Sequence, residues 1–226
     1  MNEILENKFQ KTIDELKKQK EIAIKEDNLL LIYALQKSIY SLSLLDGYVV
    51  LLNNYRYNSF DMLKRPMCEI TLQNLFMYFL LVNKKIEWKN PEKKFKLEII
   101  TLGELNDFLK KFTELDKKRT LYELKNEKDI KNIIHLFHNS RKALKQNKKE
   151  VEELLPSIHL DKIYEHFNEE SNFFIHNCCF INSKFEGKYN NGYIKKEVEN
   201  ITFFYNFIIS TIQLFLKYYN KEVQFE

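Results

Sequence analysis

Residues 29–52 read LLLIYALQKSIYSLSLLDGYVVLL. The run is apolar nearly all round, too long for a strand and unbroken by proline. It predicts a helix at the centre of a helical bundle. Gln36, Lys37 and Asp46 load it too heavily with polar groups for a lipid-facing span. A second rich stretch, 201–219, carries Asn206, Ser210, Thr211 and Gln213 and is read as a core helix for the same reason.

The rest of the chain supports that start. Only four glycines and three prolines occur in 226 residues. A sheet protein of this length needs many more turn residues, so long helices joined by few loops are expected. Hydrophobic residues make up 44% and charged residues 30%, the balance of a folded globular chain. No Pro/Gly/Ser-rich linker divides it. The expectation is an all-α, single-domain bundle of about six to eight helices over 1–226, with an N-terminal amphipathic helix over 1–26.

Along the chain, Ile4, Leu5, Phe9, Ile13 and Leu16 mark that first helix, and Asp27-Asn28 its cap or break. A third helix runs from Ser59 to about Val82, with Pro66 inside it or opening its main part. Residues 83–96 read as a lysine-rich loop around Trp88. Residues 97–115 read as one or two short helices interrupted near Gly103. An amphipathic helix is expected over 129–145, an exposed charged segment over 148–156, and a helix over 160–180. Asn190-Asn191-Gly192 is the strongest turn signal, ahead of a last helix over 195–219.

Net charge is +4, from 36 basic and 32 acidic residues, and only four of the basic ones are arginines. Lysine interleaved with glutamate marks a solvated surface more than a nucleic-acid groove, so RNA is compatible with the balance but not demanded by it. The three cysteines, Cys68, Cys178 and Cys179, make a poor disulfide framework and read as reduced thiols in a cytosol. No signal peptide is legible at the N-terminus, so the expected location is cytoplasmic and off the membrane.

Two constellations could carry chemistry. Asp61, Arg65, Glu69 and Gln73 lie four apart on one face of the third helix. They form either a surface ion pair or an Arg–Glu pair held against an apolar interior. In the helix over 160–180, His176 falls opposite the Leu160, Ile163, Phe167 stripe, near Glu169 and Asn172. It is either a packed, hydrogen-bonded histidine or an acid/base group. His135, His138, His159 and His166 do not combine into metal-ligand spacing, and no metal or other cofactor is expected. Phosphate-cradling glycine loops and a Gly-x-Ser-x-Gly elbow are absent from the sequence.

The order Leu45-Asp46-Gly47-Tyr48, then Leu63-Lys64-Arg65-Pro66-Met67-Cys68-Glu69, then Glu170-Ser171-Asn172-Phe173-Phe174-Ile175-His176 resembles a family. It is similar to the bacterial all-helical domain of unknown function 5677, over about 29–219. That family is similar in layout to the HEPN group, many of whose members are ribonucleases of toxin–antitoxin and phage-defence systems. The HEPN signature has an arginine four to six residues ahead of its histidine. Here Glu169, Glu170 and Ser171 stand ahead of His176 instead. The resemblance implies an RNA-binding or RNA-cleaving protein without a metal, with a homodimer or a protein partner as the associated expectation. Arg65 would bind phosphate, Glu69 would orient Arg65, and His176 would be the acid/base. Ser171, Asn172 and Arg141 are the candidate substrate contacts. The competing expectation is a non-enzymatic interaction module, with a buried polar network fixing helix register and with Tyr55, Tyr57 and Trp88 as exposed contact points.

Overall fold

The computed structural model describes residues 2–53, 57–90, 93–116, 140–154, 156, 160–170, 191–223 and 225. Helix accounts for 82% of them, so the all-α expectation holds. The helices are α1 (Asn2–Lys25), α2 (Leu29–Asn53), α3 (Tyr57–Asn83) and α4 (Leu102–Asp116). A helical stretch over 140–146 precedes α5 (Lys148–Leu154), α6 (Leu160–Glu170) and α7 (Asn191–Tyr218). None of the described helices is long and apolar enough to cross a membrane.

Helix α2 is the hub. It packs against α1, α3 and α7, and α3 packs in turn against α6 and α7. Twelve of its residues are buried, from Leu30 to Leu52, and at 100° per residue they fall on one half of the helix, while Gln36, Tyr40, Ser43 and Val50 on the other half are exposed. The apolar run is thus central by its contacts with α1, α3 and α7, yet it keeps one side toward water, where Tyr40 and Val50 are exposed. Phe204, Phe207, Ile208, Ile212 and Phe215 of α7 close the core from the other side. Each such side chain contributes roughly 1.5–3 kcal/mol by leaving water.

Local chemistry sets the ends. Asp27 takes a left-handed φ of 52°, and Asn28 N–H donates to the Ala23 carbonyl at 3.0 Å. These close α1 as a Schellman motif. The Asn28 side chain then accepts from Leu31 N–H at 3.1 Å and starts α2. Helix α7 ends in the same way, with Asn220 at φ 55° and Lys221 N–H on the Leu216 carbonyl at 2.8 Å. Pro66 lies inside α3, where it removes one ladder hydrogen bond.

Several expectations need correction. The lysine-rich segment is not a loop. Strands β1 (Lys85–Asn90) and β2 (Lys96–Thr101) form an antiparallel hairpin. Ile86, Trp88 and Asn90 of β1 point inward while Lys85, Glu87 and Lys89 face water, a period of two hidden beneath the lysines. Trp88 is therefore not an exposed contact point; it is 2% exposed. Tyr55 lies outside the described residues, and Tyr57 opens α3.

Gly103 does not interrupt a helix. Thr101 and Glu104 form a reciprocal capping box, with Glu104 N–H donating to Thr101 Oγ1 at 3.2 Å and Thr101 N–H donating to Glu104 Oε2 at 2.8 Å. The pair starts α4 at Leu102, one residue before the glycine. The expected turn at Asn191-Gly192 is instead the first turn of α7, and Lys148–Leu154 is helical with Val151 buried. The helix expected over 129–145 falls largely outside the described residues, as does the part of 160–180 beyond Glu170.

Trp88 carries a measurable consequence. Its indole N–H is buried with no hydrogen-bond partner among the described residues. Trp88→Ala is expected to cost about 3–5 kcal/mol, the usual loss for a buried large aromatic. Trp88→Phe should cost much less, because it also deletes a donor whose burial costs about 1–3 kcal/mol. Urea denaturation of both variants checks the difference.

Candidate functional site

Among the described residues, two charged clusters meet at α3, one against α7 and one against α6. The first is fully buried between α2, α3 and α7. Lys64 is 5% exposed and Glu197 3% exposed, and Lys64 Nζ lies 3.1 Å from Glu197 Oε2. The same oxygen accepts hydrogen bonds from the Tyr48 hydroxyl and from Asn200 Nδ2, the latter at 3.2 Å. The Lys64 ammonium also sits 5.7 Å from the Tyr48 ring centroid. A carboxylate in apolar surroundings survives only with this many donors around it. The cluster is well satisfied and sealed, which suits a structural role.

The second cluster is half-buried, where α2, α3, α6 and the 140–146 stretch meet. It is built on the i, i+4 stripe of α3. Arg65, Glu69 and Gln73 face away from Lys64, because adjacent helical residues point about 100° apart. Lys37 of α2 reaches across and donates to Gln73 Oε1 at 2.6 Å. Burial drives the Lys37 ammonium down to about 8, and the Glu69 carboxylate beside it opposes that shift. Arg141 approaches from the 140–146 stretch. Tyr164 of α6 donates its hydroxyl to the Arg141 carbonyl at 3.2 Å.

Arg141 is lowered first by burial. Tyr164 resists that, the nearby Arg65 charge lowers it further, and Glu69 resists again. Burial raises the Tyr164 phenol. Lys37 and Arg141 thus both feel the Glu69 carboxylate, and Arg65 stands one turn ahead of Glu69 on α3. Guanidiniums at a half-buried helix junction are side chains suited to contact an anion.

Lys37 gives the cluster a pH signature. Its folded value of about 8 lies below the usual lysine value, so between about pH 8 and pH 10 the unfolded chain holds the extra proton. Stability contributed at this position therefore rises as pH climbs through that window and is flat below it. Relative to Lys37→Met, the parent should gain stability from pH 8 to pH 10 in urea titrations.

Of the residues singled out from sequence, Arg65, Glu69 and Arg141 come together here. Ser171, Asn172 and His176 lie outside the described residues. Sequence reading missed Lys37, Lys64, Glu197 and Tyr164 as site residues. Lys37 was legible as the lone cation of an otherwise apolar helix. Glu197 was not, because Lys195-Lys196-Glu197 reads as a solvated charge run. Among the described residues, no group of three or more His, Cys, Asp or Glu is arranged to hold a metal ion. The fold and this recess define an all-α bundle with a cationic cluster at a helix junction. No family model, no curated protein and no solved structure matches the chain.

Proposed function

We propose that the chain is a helical RNA-binding protein of HEPN-like layout that grips the phosphate backbone through Arg65 and Arg141. The observation that supports this reading is the approach of two guanidiniums from separate elements, close enough for one to lower the other. Like charges held together in a half-buried recess cost free energy that a bound phosphate relieves. Arginine is also the side chain suited to bidentate phosphate contact. Glu69 would orient the pair, and Lys37 would add a third positive charge.

In the stronger form of the reading, RNA is cleaved without a metal. His176 would then supply the acid/base step, with Ser171 and Asn172 contacting substrate. The sequence resemblance to bacterial defence and toxin proteins points the same way, and it allows a homodimer. Incubation with fluorescent single-stranded RNA separates the two forms. Anisotropy reports binding and a gel reports cleavage. Binding with intact RNA, unchanged in His176→Ala, keeps the binding form and removes the nuclease form. No binding at low salt removes both.

A structural reading has its own support in the α2–α3 seam. Asn74 Nδ2 donates to the Ala34 carbonyl and to Ser38 Oγ, both at 3.0 Å, and Thr71 Oγ1 lies 3.5 Å from Ser41 Oγ. Such a buried ladder fixes helix register without any ligand. It favours a non-enzymatic interaction module if RNA does not bind.

A further inference from the structure

Among the described residues, the β1–β2 hairpin has one closed edge and one open edge. The closed edge is that of β1. Gln146 accepts from Lys89 N–H at 2.7 Å and donates to the Lys89 carbonyl at 2.8 Å, as a neighbouring strand would. Asn147 Nδ2 donates to the Glu87 carbonyl at 3.2 Å. Two side-chain amides thus occupy the outward groups of that strand.

The open edge is that of β2. Leu102 N–H donates to the Lys84 carbonyl at 2.8 Å, which sets the alternation of the ladder. Pairs two residues on, Ile86 with Ile100 and Trp88 with Glu98, face each other with their hydrogen bonds. The backbone groups of Leu97, Ile99 and Thr101 therefore point away from β1. Glu104 caps Thr101 N–H. No described residue bonds the outward N–H and C=O groups of Leu97 and Ile99. Their side chains are 52% and 50% exposed, and Phe95 at the tip is 69% exposed.

This is a long-standing hazard for a β protein: an unpaired edge with an apolar face templates pairing with another strand. The tip adds a second departure from local rules. Lys94 and Phe95 both take left-handed φ, at 55° and 60°. Glycine or asparagine suits such a turn better than phenylalanine. An exposed phenylalanine held in that conformation does not serve the hairpin's own stability.

We infer that β2 is a docking edge for an extended, acidic–apolar segment of a partner protein, which adds as a third strand beside Leu97 and Ile99. Backbone groups at those two residues supply the hydrogen bonds, and their side chains supply the apolar contact. The charge sign follows from the lysines. Lys89 pairs across the ladder with Leu97 on the same face, and Lys94 and Lys96 flank the tip. None of these three has a carboxylate at salt-bridge distance among the described residues. A second copy of this chain would bring a like-charged hairpin against this one, so an acidic strand fits better. The site is remote in role from the Arg65–Arg141 recess and does not rest on RNA binding.

The probe is a labelled nonapeptide alternating glutamate and valine, with the lysine–valine counterpart as control. The acidic peptide should bind at least tenfold tighter, and Leu97 and Ile99 amides should gain protection from hydrogen exchange. Leu97→Glu/Ile99→Glu changes only exposed side chains, so the fold should survive. It should weaken the acidic peptide at least tenfold while leaving RNA affinity unchanged. Equal binding of the two peptides, or no protection at Leu97 and Ile99, overturns the inference. So does a concentration-dependent dimer abolished by the same variant, which would make a second copy the occupant. Protection of those amides by phosphatidylglycerol vesicles or by RNA, without peptide binding, overturns it as well.

Discussion

Glu197→Ala is expected to lower folding stability by about 3–5 kcal/mol, the usual cost of removing one partner of a buried charge pair. The carboxylate receives the Lys64 ammonium, the Tyr48 hydroxyl and the Asn200 amide on a single oxygen. Its loss leaves the Lys64 ammonium buried without that counter-charge and takes an acceptor from two further donors. The cause is desolvation rather than lost attraction, and that distinction is testable. Lys64→Met/Glu197→Leu removes both charges together, and Tyr48→Phe removes the hydroxyl that needed the carboxylate. The triple variant should recover most of the loss, because apolar replacement of a whole buried pair is often neutral or better. Urea denaturation near pH 7 measures all of these. A Glu197→Ala variant within about 1 kcal/mol of the parent, the range of surface pairs, would mean that the cluster is wet.

The second large effect concerns RNA. Arg65→Ala and Arg141→Ala should each weaken single-stranded RNA binding roughly 10- to 100-fold. That range corresponds to about 1.5–3 kcal/mol for a hydrogen bond to a charged group. The loss should be nearly the same for different base sequences, since a phosphate contact carries no base information. Each variant should also flatten the dependence of affinity on salt by about one ion. Glu69→Gln works in the opposite sense. It removes the negative charge competing with phosphate and should tighten binding, provided Arg65 keeps its position. Anisotropy titrations across a salt series give affinity and slope together.

Legibility in the sequence followed the range of the interactions. The hub helix was readable because its apolar run needs no partner to be recognised. The stripe Arg65, Glu69, Gln73 was readable from spacing alone, and Asp27-Asn28 from cap chemistry. The hairpin was within reach, since Ile86 and Trp88 alternate with Glu87 and Lys89, but the lysine density masked the period. The Thr101–Glu104 capping box was also present in the letters and outweighed by attention to Gly103.

What could not be read was long-range. Glu197 meets Tyr48 across 149 positions of sequence, and Tyr164 meets Arg141 across 23. A lysine–glutamate run looks the same whether its carboxylate faces water or a buried ammonium. Arg141 stood out only as one of few arginines, and its nearness to Arg65 emerges only once α3, α6 and the 140–146 stretch are assembled. Arg65, Glu69 and Arg141 share a recess, while Ser171, Asn172 and His176 fall outside the described residues.

The most direct measurement is a crystal structure of the protein with a short single-stranded oligouridylate. The prediction is a phosphate seated between the Arg65 and Arg141 guanidiniums, within hydrogen-bond distance of both. Oligonucleotide bound on another face, with no phosphate at Arg65 or Arg141, would contradict it.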